Sequence, residues 1–165
     1  MFQLAKQNSI KTNVMRILEQ KKVSYTAHTY PHNGEAVDGV TAARLIGVPP
    51  EQVFKTLVAR GASKTPYVFV IPVALELDLK RAAAAVGEKS IAMLPLSELT
   101  AVTGYVRGGC SPIGMKKQYQ TVIDQSAAAQ ATITVSAGKI GVQAELSPEV
   151  LCELTGGKYA PVTVG

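Results

Sequence analysis

The chain has 165 residues, a length that suits one compact domain with its own hydrophobic core. Its 17 Lys and Arg residues outnumber its 12 Asp and Glu residues, and the formal charge of +5 permits a polyanionic partner without requiring one. No apolar stretch is long enough to span a membrane, and residues 1–22 lack a secretory h-region and cleavage site. We therefore expect a cytoplasmic protein with no membrane segment, in which about residues 1–8 form a short tail.

The first half of the chain is predicted to contain two helices, a strand and a hairpin. These elements cover about residues 8–22 (helix), 23–30 (strand), 41–46 (helix) and 53–73 (hairpin). Asp38 or Thr41 caps the second helix and Gly47 ends it. The motif "VPPEQ" adds a short helical turn, and "GASKT" supplies the turn between the two apolar strands of the hairpin.

The second half of the chain alternates helices with strands. The pattern predicts helices over 79–86, 95–103 and 148–155, and strands over 90–94, 120–125, 131–138 and 158–165. Asp78, Pro95 and Ser147 stand at the three helix starts, where capping side chains and a first-turn proline are favoured. Because hairpins and helices are mixed along the chain, we expect an α+β fold with a mixed sheet, in one domain over 1–165.

The stretch "VFKTLVA" places Lys55 inside an otherwise apolar run. Three interpretations fit: the side chain reaches solvent, it forms a buried ion pair, or it lines a polar pocket. In a pocket, desolvation lowers the pKa of a lysine, which then acts as a base or Schiff-base nucleophile. A lysine that stays charged instead binds phosphate or stabilises developing negative charge. The motif alone leaves these alternatives open.

Two glycine-rich segments are predicted to be loops, "RGGCSPIGMKK" over 107–117 and "VSAGKIGVQ" over 135–143. Loops of this composition can point several backbone N–H groups at one acceptor oxygen, although glycines also mark ordinary turns. Neither segment matches a nucleotide-binding fingerprint. The sequence therefore offers both loops as candidate binding elements without naming a ligand.

The cysteines and histidines do not form a recognisable catalytic or metal-binding pattern. Cys110 has no histidine near it in sequence to act as a base, so we interpret it as a bystander. Cys152 falls on the apolar face of the last predicted helix and is expected in the core. His28 and His32 flank a proline, which argues against the helical i,i+4 spacing that would hold a metal. We expect neither a metal nor a cofactor.

Several motifs together resemble the YbaK/EbsC family of free-standing aminoacyl-tRNA editing domains. They are "VFKTLV", "TGYVRGGCSPIGMKK" and "VSAGKIGVQAEL", in this order and spacing, with "HTYPHN" and "LDLKRAAAAVG". The resemblance covers nearly the whole chain and implies a partly barrel-like sheet flanked by helices. It also implies a trans-editing hydrolase that removes cysteine from mischarged Cys-tRNA(Pro), with the substrate thiol attacking its own carbonyl. The alternatives are a deacylase for another small amino acid, such as alanine, and a non-catalytic module that binds aminoacyl-tRNA or a synthetase.

The resemblance assigns roles to individual residues and names two partners. The essential lysine of the family maps onto Lys55. The positions implied to bind substrate are Tyr25, Thr56, Gly108, Gly109, Ser111, Pro112, Gly114, Ser136, Ala137 and Gly138. The implied partners are the 3′ aminoacyl end of tRNA and prolyl-tRNA synthetase. The chain departs from the family pattern at Gln143, where an aspartate is common, and at Ile140, where an arginine is usual.

Overall fold

The computed structural model describes residues 11–164, within which it contains five α-helices and ten strands. The helices are α1 (Asn13–Gln20), α2 (Gly39–Ile46), α3 (Leu79–Val86), α4 (Leu99–Thr103) and α5 (Pro148–Thr155). The strands are β1 (Thr26–Thr29), β2 (Phe54–Gly61), β3 (Pro66–Pro72), β4 (Glu76–Leu77), β5 (Ile91–Met93), β6 (Gln120–Asp124), β7 (Ile133–Lys139), β8 (Val142–Leu146), β9 (Lys158–Ala160) and β10 (Thr163–Val164). Short 3₁₀ turns cover Pro50–Gln52, Leu96–Glu98 and Gln125–Ala129.

The strands form two main sheets and a two-stranded ribbon. A five-stranded sheet has the order β5-β2-β3-β6-β9, a three-stranded sheet has the order β1-β8-β7, and β10 pairs with β4. In the larger sheet β2 is antiparallel to β3 and β5, whereas β6 is parallel to β3 and β9. The predictions of an α+β fold, a mixed sheet and a β2–β3 hairpin are therefore confirmed.

Local capping signals fix the helix boundaries. The Asp38 side chain accepts a hydrogen bond from the Thr41 N–H at 3.0 Å, so Asp38, not Thr41, caps α2. Gly47 ends that helix in the left-handed conformation, at φ +75°. Asp78 and Ser147 cap α3 and α5 in the same way as Asp38.

The larger sheet is buried on both faces. On one face Val68 and Val70 of β3 pack with Val14 and Leu18 of α1 and with strands of the smaller sheet. On the other face the alternate β3 residues, including Phe69, pack against α3. A strand buried on both faces needs apolar residues at every position, which explains the unbroken run "YVFVI".

Several predicted boundaries were wrong. The first helix covers Asn13–Gln20 rather than 8–22, and residues 8–10 lie outside the described part of the chain. Pro95 precedes a 3₁₀ turn rather than opening the α-helix, and "KYAPVTVG" splits into β9 and β10. The segment 135–143 is not a loop, because β7 and β8 form a hairpin with a bulge between Ser136 and Lys139. None of the helices among residues 11–164 has the length and hydropathy needed to cross a bilayer.

Candidate active site

The candidate site lies at a gap in the pairing of β2. On one edge β2 pairs with β3 along its length. On the other edge β5 pairs with the end of β2, over Ala59–Gly61, and Val53, the residue before β2, forms an isolated parallel bridge with Thr134 of β7. Within residues 11–164, the segment Lys55–Leu57 therefore has no paired strand on this edge, although β7 stays close to β2, and a cavity opens there.

The cavity has an inner and an outer part. The inner part has a volume of about 110 Å³. Its lining residues are Tyr30, Val37, Gly39, Ala42, Phe54, Lys55, Thr56, Val73, Gly108, Cys110, Ser136 and Gln143. A wider outer cleft of about 1,100 Å³ shares Lys55, Thr56 and Gly108 with it and adds charged side chains, among them Glu35 and Arg107. Because a buried water needs only about 10–15 Å³, the inner part has room for a small side chain.

Lys55 lies where the inner cavity meets the outer cleft. It is half-buried on β2, and no carboxylate among residues 11–164 lies within ion-pair distance of its ammonium group. The structure thus favours the pocket-lining interpretation over the buried ion pair. Lys55 therefore borders both a small cavity and a wider cleft.

The first glycine-rich loop faces β2 through a tight turn. The Gly109 N–H donates to the Val106 carbonyl at 3.0 Å, and Gly108 has φ +86°. A Cβ on Gly108 would lie 2.9 Å from the Ala36 Cβ and 3.0 Å from the Ala36 Cα, so only glycine fits there. A Cβ on Gly109 would lie 3.0 Å from the Ile140 N, which shows that the two glycine-rich segments touch at this point.

The Ser-Pro part of the same loop stands behind the turn. Ser111 is fully buried, and its hydroxyl accepts a hydrogen bond from the Ile113 N–H at 3.2 Å. The Tyr105 hydroxyl donates to the Ile113 carbonyl at 2.5 Å, and burial raises the pKa of Tyr105 to about 12. Pro112 and Gly114 belong to this supporting segment and, like Ser111, do not line the inner cavity or the outer cleft.

The second glycine-rich segment contributes side chains from both strands of its hairpin. Ser136 of β7 and Gln143 of β8 are register partners, and both line the inner cavity. Ala137 is fully buried in the core, and Gly138, at φ +99°, packs on Tyr105 outside the inner cavity. The bulge therefore directs Ser136 towards the site, whereas the next two residues, Ala137 and Gly138, point elsewhere.

Two buried polar atoms of the site lack a hydrogen-bond partner within residues 11–164. They are the Oγ1 of Thr56 and the Oε1 of Gln143, whose residue is only 9% exposed. A buried polar atom without a partner is energetically unfavourable by about 1–3 kcal/mol and is uncommon in native proteins. Both atoms belong to residues that line the inner cavity, so both are available to form hydrogen bonds with a ligand.

Cys110 also lines the inner cavity, but its chemistry is unsuited to nucleophilic attack. It is 7% exposed, and burial raises the pKa of its thiol to about 11. The thiol is therefore protonated near neutral pH, whereas nucleophilic cysteines need a depressed pKa. Cys152 is half-buried and packs against the core around α1.

Tyr25 lies apart from the other predicted site residues. Its hydroxyl donates to Glu19 Oε2 at 2.8 Å, and burial together with this bond raises its pKa to about 12. Tyr25 precedes β1 and lines neither part of the cavity, whereas Tyr30, just after β1, is buried and lines the inner part. Sequence reasoning did not single out Tyr30, although the motif "HTYPHN" contains it.

With this geometry in view, comparison with known proteins identifies the class. Residues 34–154 match the profile of the aminoacyl-tRNA editing domain family, and the chain belongs to that family. The predicted resemblance and the predicted class, an aminoacyl-tRNA deacylase that edits mischarged tRNA and so serves translation fidelity, are confirmed.

Individual relatives extend this result. The chain is 46% identical over 158 residues to EbsC of Enterococcus faecalis strain ATCC 700802 / V583, a proposed Cys-tRNA(Pro)/Cys-tRNA(Cys) deacylase, with 96% of each chain covered. The crystal structure of a proposed trans-editing enzyme for prolyl-tRNA synthetase superposes with a TM-score of 0.79 at 22% identity, covering 94% of this chain and 99% of that one. A hypothetical protein of known crystal structure superposes with a TM-score of 0.83 at 23% identity, covering 93% and 100%. The two structural matches show the shared fold.

Proposed function

We propose that this protein deacylates Cys-tRNA(Pro) in trans, with the aminoacyl group in the inner cavity and the terminal nucleotide in the outer cleft. The observation that carries the proposal is the position of Lys55, at the junction of the two spaces and beside the Gly108 turn. The identity to EbsC over nearly the whole chain supports cysteine as the amino acid.

The proposed reaction uses the thiol of the substrate. The sulfur attacks the ester carbonyl carbon, a C–S bond forms, and the C–O bond to the tRNA 3′-terminal ribose breaks. The thiol proton ends on the ribose oxygen, and cysteine leaves as a cyclic thioester that water opens. The carbonyl oxygen carries negative charge in the intermediate, and the Lys55 ammonium group stabilises it. The protein's own cysteines take no part.

Selectivity follows from the size of the cavity and the chemistry of the side chain. The inner cavity, at about 110 Å³, admits small side chains, but size alone discriminates weakly between near-isosteres. Cysteine is favoured over alanine because alanine lacks an internal nucleophile. Proline lacks both the thiol and a primary amine, so correctly charged Pro-tRNA(Pro) is spared.

The tRNA body is recognised through its phosphates. The chain carries a formal charge of +5, and phosphate contacts position a nucleic acid without reading its sequence. We therefore expect the isolated protein to cleave Cys-tRNA(Cys) as well. Selectivity for tRNA(Pro) comes from association with prolyl-tRNA synthetase, in the cytoplasm where tRNAs are charged.

The test compares single-turnover cleavage of tRNA(Pro) charged in turn with cysteine, alanine and proline. The wild type should cleave the cysteine ester faster than the alanine ester and far faster than the proline ester. Lys55→Ala should lower the cysteine rate by about 10²–10³-fold. Lys80→Ala is the matched control, because Lys80 is an exposed lysine on α3 that lines neither part of the site.

Three outcomes would contradict the proposal. An alanine rate equal to or above the cysteine rate would assign the protein to alanine editing. Binding of all three aminoacyl-tRNAs without cleavage would make it a binding module. A Lys55→Ala rate within a few-fold of wild type, at an unchanged melting temperature, would remove Lys55 from the mechanism.

A further inference from the structure

The hydrogen-bond register of β2 determines which backbone groups face the gap. The Val73 N–H donates to the Val53 carbonyl across the β2–β3 hairpin at 2.9 Å, and the Gly61 N–H donates to the Thr65 carbonyl at 2.9 Å. In an antiparallel pair, alternate residues direct both backbone groups to the partner strand. The odd-numbered residues of β2 therefore bond to β3, and the even-numbered residues face the opposite edge.

A bond on that opposite edge confirms the assignment. The Val58 carbonyl accepts from the Leu94 N–H at 3.0 Å, next to β5. Thr56 lies two residues earlier, so its N–H and carbonyl point to the same edge, beyond the end of the β5 pairing and past the point where β7 bridges the residue before β2. Neither the pairing with β5 nor the bridge to β7 includes Thr56, so in the described part of the chain its N–H lies on the cavity edge outside both pairings.

The Thr56 N–H lies where the scissile ester of a bound aminoacyl-tRNA would be placed. Thr56 and Gly108 together line the inner cavity, the outer cleft and an adjoining apolar groove of about 310 Å³, so the space between them is where all three meet. Lys55, the neighbouring residue, supplies the positive charge. A strand N–H held by the β2–β3 pairing is a rigid donor that needs no reorganisation when charge develops.

We infer that the backbone N–H of Thr56 donates to the carbonyl oxygen of the scissile ester and stabilises the oxyanion formed on attack. As the nucleophile bonds to the carbonyl carbon, the π electron pair moves to oxygen, and the hydrogen bond strengthens. When the ribose oxygen leaves, the pair returns and the bond weakens again. Thr56 and Lys55 thus act on the same oxygen, one by a directed hydrogen bond and the other by charge. This inference rests on the proposed deacylase function.

The test replaces the Thr56 N–H with oxygen, by incorporating the α-hydroxy counterpart of threonine so that the preceding peptide bond becomes an ester. The same replacement at Val58 is the matched control. Both changes weaken one carbonyl that bonds to β3, but only the change at Thr56 removes an N–H that faces the inner cavity. We expect the change at Thr56 to lower single-turnover cleavage by about 10²–10³-fold, and the change at Val58 to leave it within a few-fold of wild type.

A second measurement tests the hydrogen bond from the Thr56 N–H independently of which aminoacyl ester the protein cleaves. An uncleavable analogue, 3′-cysteinylamino-3′-deoxyadenosine, presents its amide carbonyl in place of the ester carbonyl. At saturation it should shift the Thr56 amide proton downfield in the ¹H–¹⁵N spectrum and leave that of Val58 unchanged, even if cysteine esters prove to be poor substrates. Three outcomes would each overturn the inference. The changes at Thr56 and Val58 could lower the rate equally, or the change at Thr56 could leave the rate unchanged. In the spectrum, the Thr56 amide could stay unshifted while other cavity residues respond.

Discussion

Gly108→Ala tests whether the close approach of the glycine turn is needed for catalysis. Gly108 has φ +86°, where an L-residue is less stable than glycine by roughly 1–2 kcal/mol. The added Cβ would also lie 2.9 Å from the Ala36 Cβ and 3.0 Å from the Ala36 Cα. Carbon atoms in contact normally lie about 3.5–4.0 Å apart, so the two segments must separate by roughly 0.5–1 Å.

Gly87→Ala separates the destabilisation caused by the left-handed backbone conformation from that caused by the contact with Ala36. Gly87 ends α3 at φ +74°, and a Cβ there meets no atom within 4 Å. We therefore expect Gly87→Ala to lower the free energy of unfolding by about 1–2 kcal/mol and to leave the cleavage rate unchanged. Gly108→Ala should destabilise by about 1 kcal/mol more, because of the contact with Ala36.

The activity of the two variants is the deciding measurement. A misplacement of about 1 Å in a catalytic site lowers the rate by up to roughly 10²-fold, so Gly108→Ala should lose about 10–10²-fold in single-turnover cleavage of Cys-tRNA(Pro). Urea denaturation supplies the free energies of unfolding. If Gly108→Ala cleaves at the rate of Gly87→Ala, the position of the turn against Ala36 does not matter for the chemistry.

Two further predictions concern the cysteines and a buried aspartate. Cys110→Ala and Cys152→Ala, singly and together, should keep cleavage within a few-fold of wild type, because burial raises the pKa of both thiols. A stable acyl group on Cys110, seen by mass spectrometry, would contradict this. Asp124, 3% exposed, accepts hydrogen bonds from Ser126 and from the Val162 N–H, so Asp124→Ala should destabilise by about 2–4 kcal/mol and lower Tm by roughly 5–10 °C. Asp78→Ala removes a helix cap and an exposed ion pair with Arg81, and should lose about 1 kcal/mol. Equal Tm shifts for the two variants would show that the Val162 bond adds nothing.

Much of the local structure was predictable because its determinants lie close together in the chain. A capping aspartate bonds to an N–H two or three residues away, so Asp38 and Asp78 marked their helices from sequence alone. Left-handed glycines at helix ends are equally local, as at Gly47. The isolated charge of Lys55 in an apolar strand also marked a candidate site before any contact was known.

The composition of the site depended on contacts between distant parts of the chain. Gln143 enters the cavity because β8 pairs with β7, and Tyr30, whose N–H donates to the Gly141 carbonyl, enters it because β1 pairs with β8. Tyr25, to which the family resemblance gave a substrate role, bonds to Glu19 of α1. Short-range patterns carry no information on which strand becomes the neighbour of which.

The gap on β2 shows most clearly how local sequence patterns differ from long-range contacts in what they determine. Residues 53–59 could be predicted to form an apolar strand carrying one lysine, because period, β-branching and turn signals are local properties of the sequence. The folded structure was needed to show that β5 pairs with Ala59–Gly61 and that β7 bridges Val53, so that Thr56 lies outside both pairings in the described part of the chain. Strand pairing could not be predicted from a short segment, because it is set by the burial of whole sheet faces, to which every residue of the core contributes.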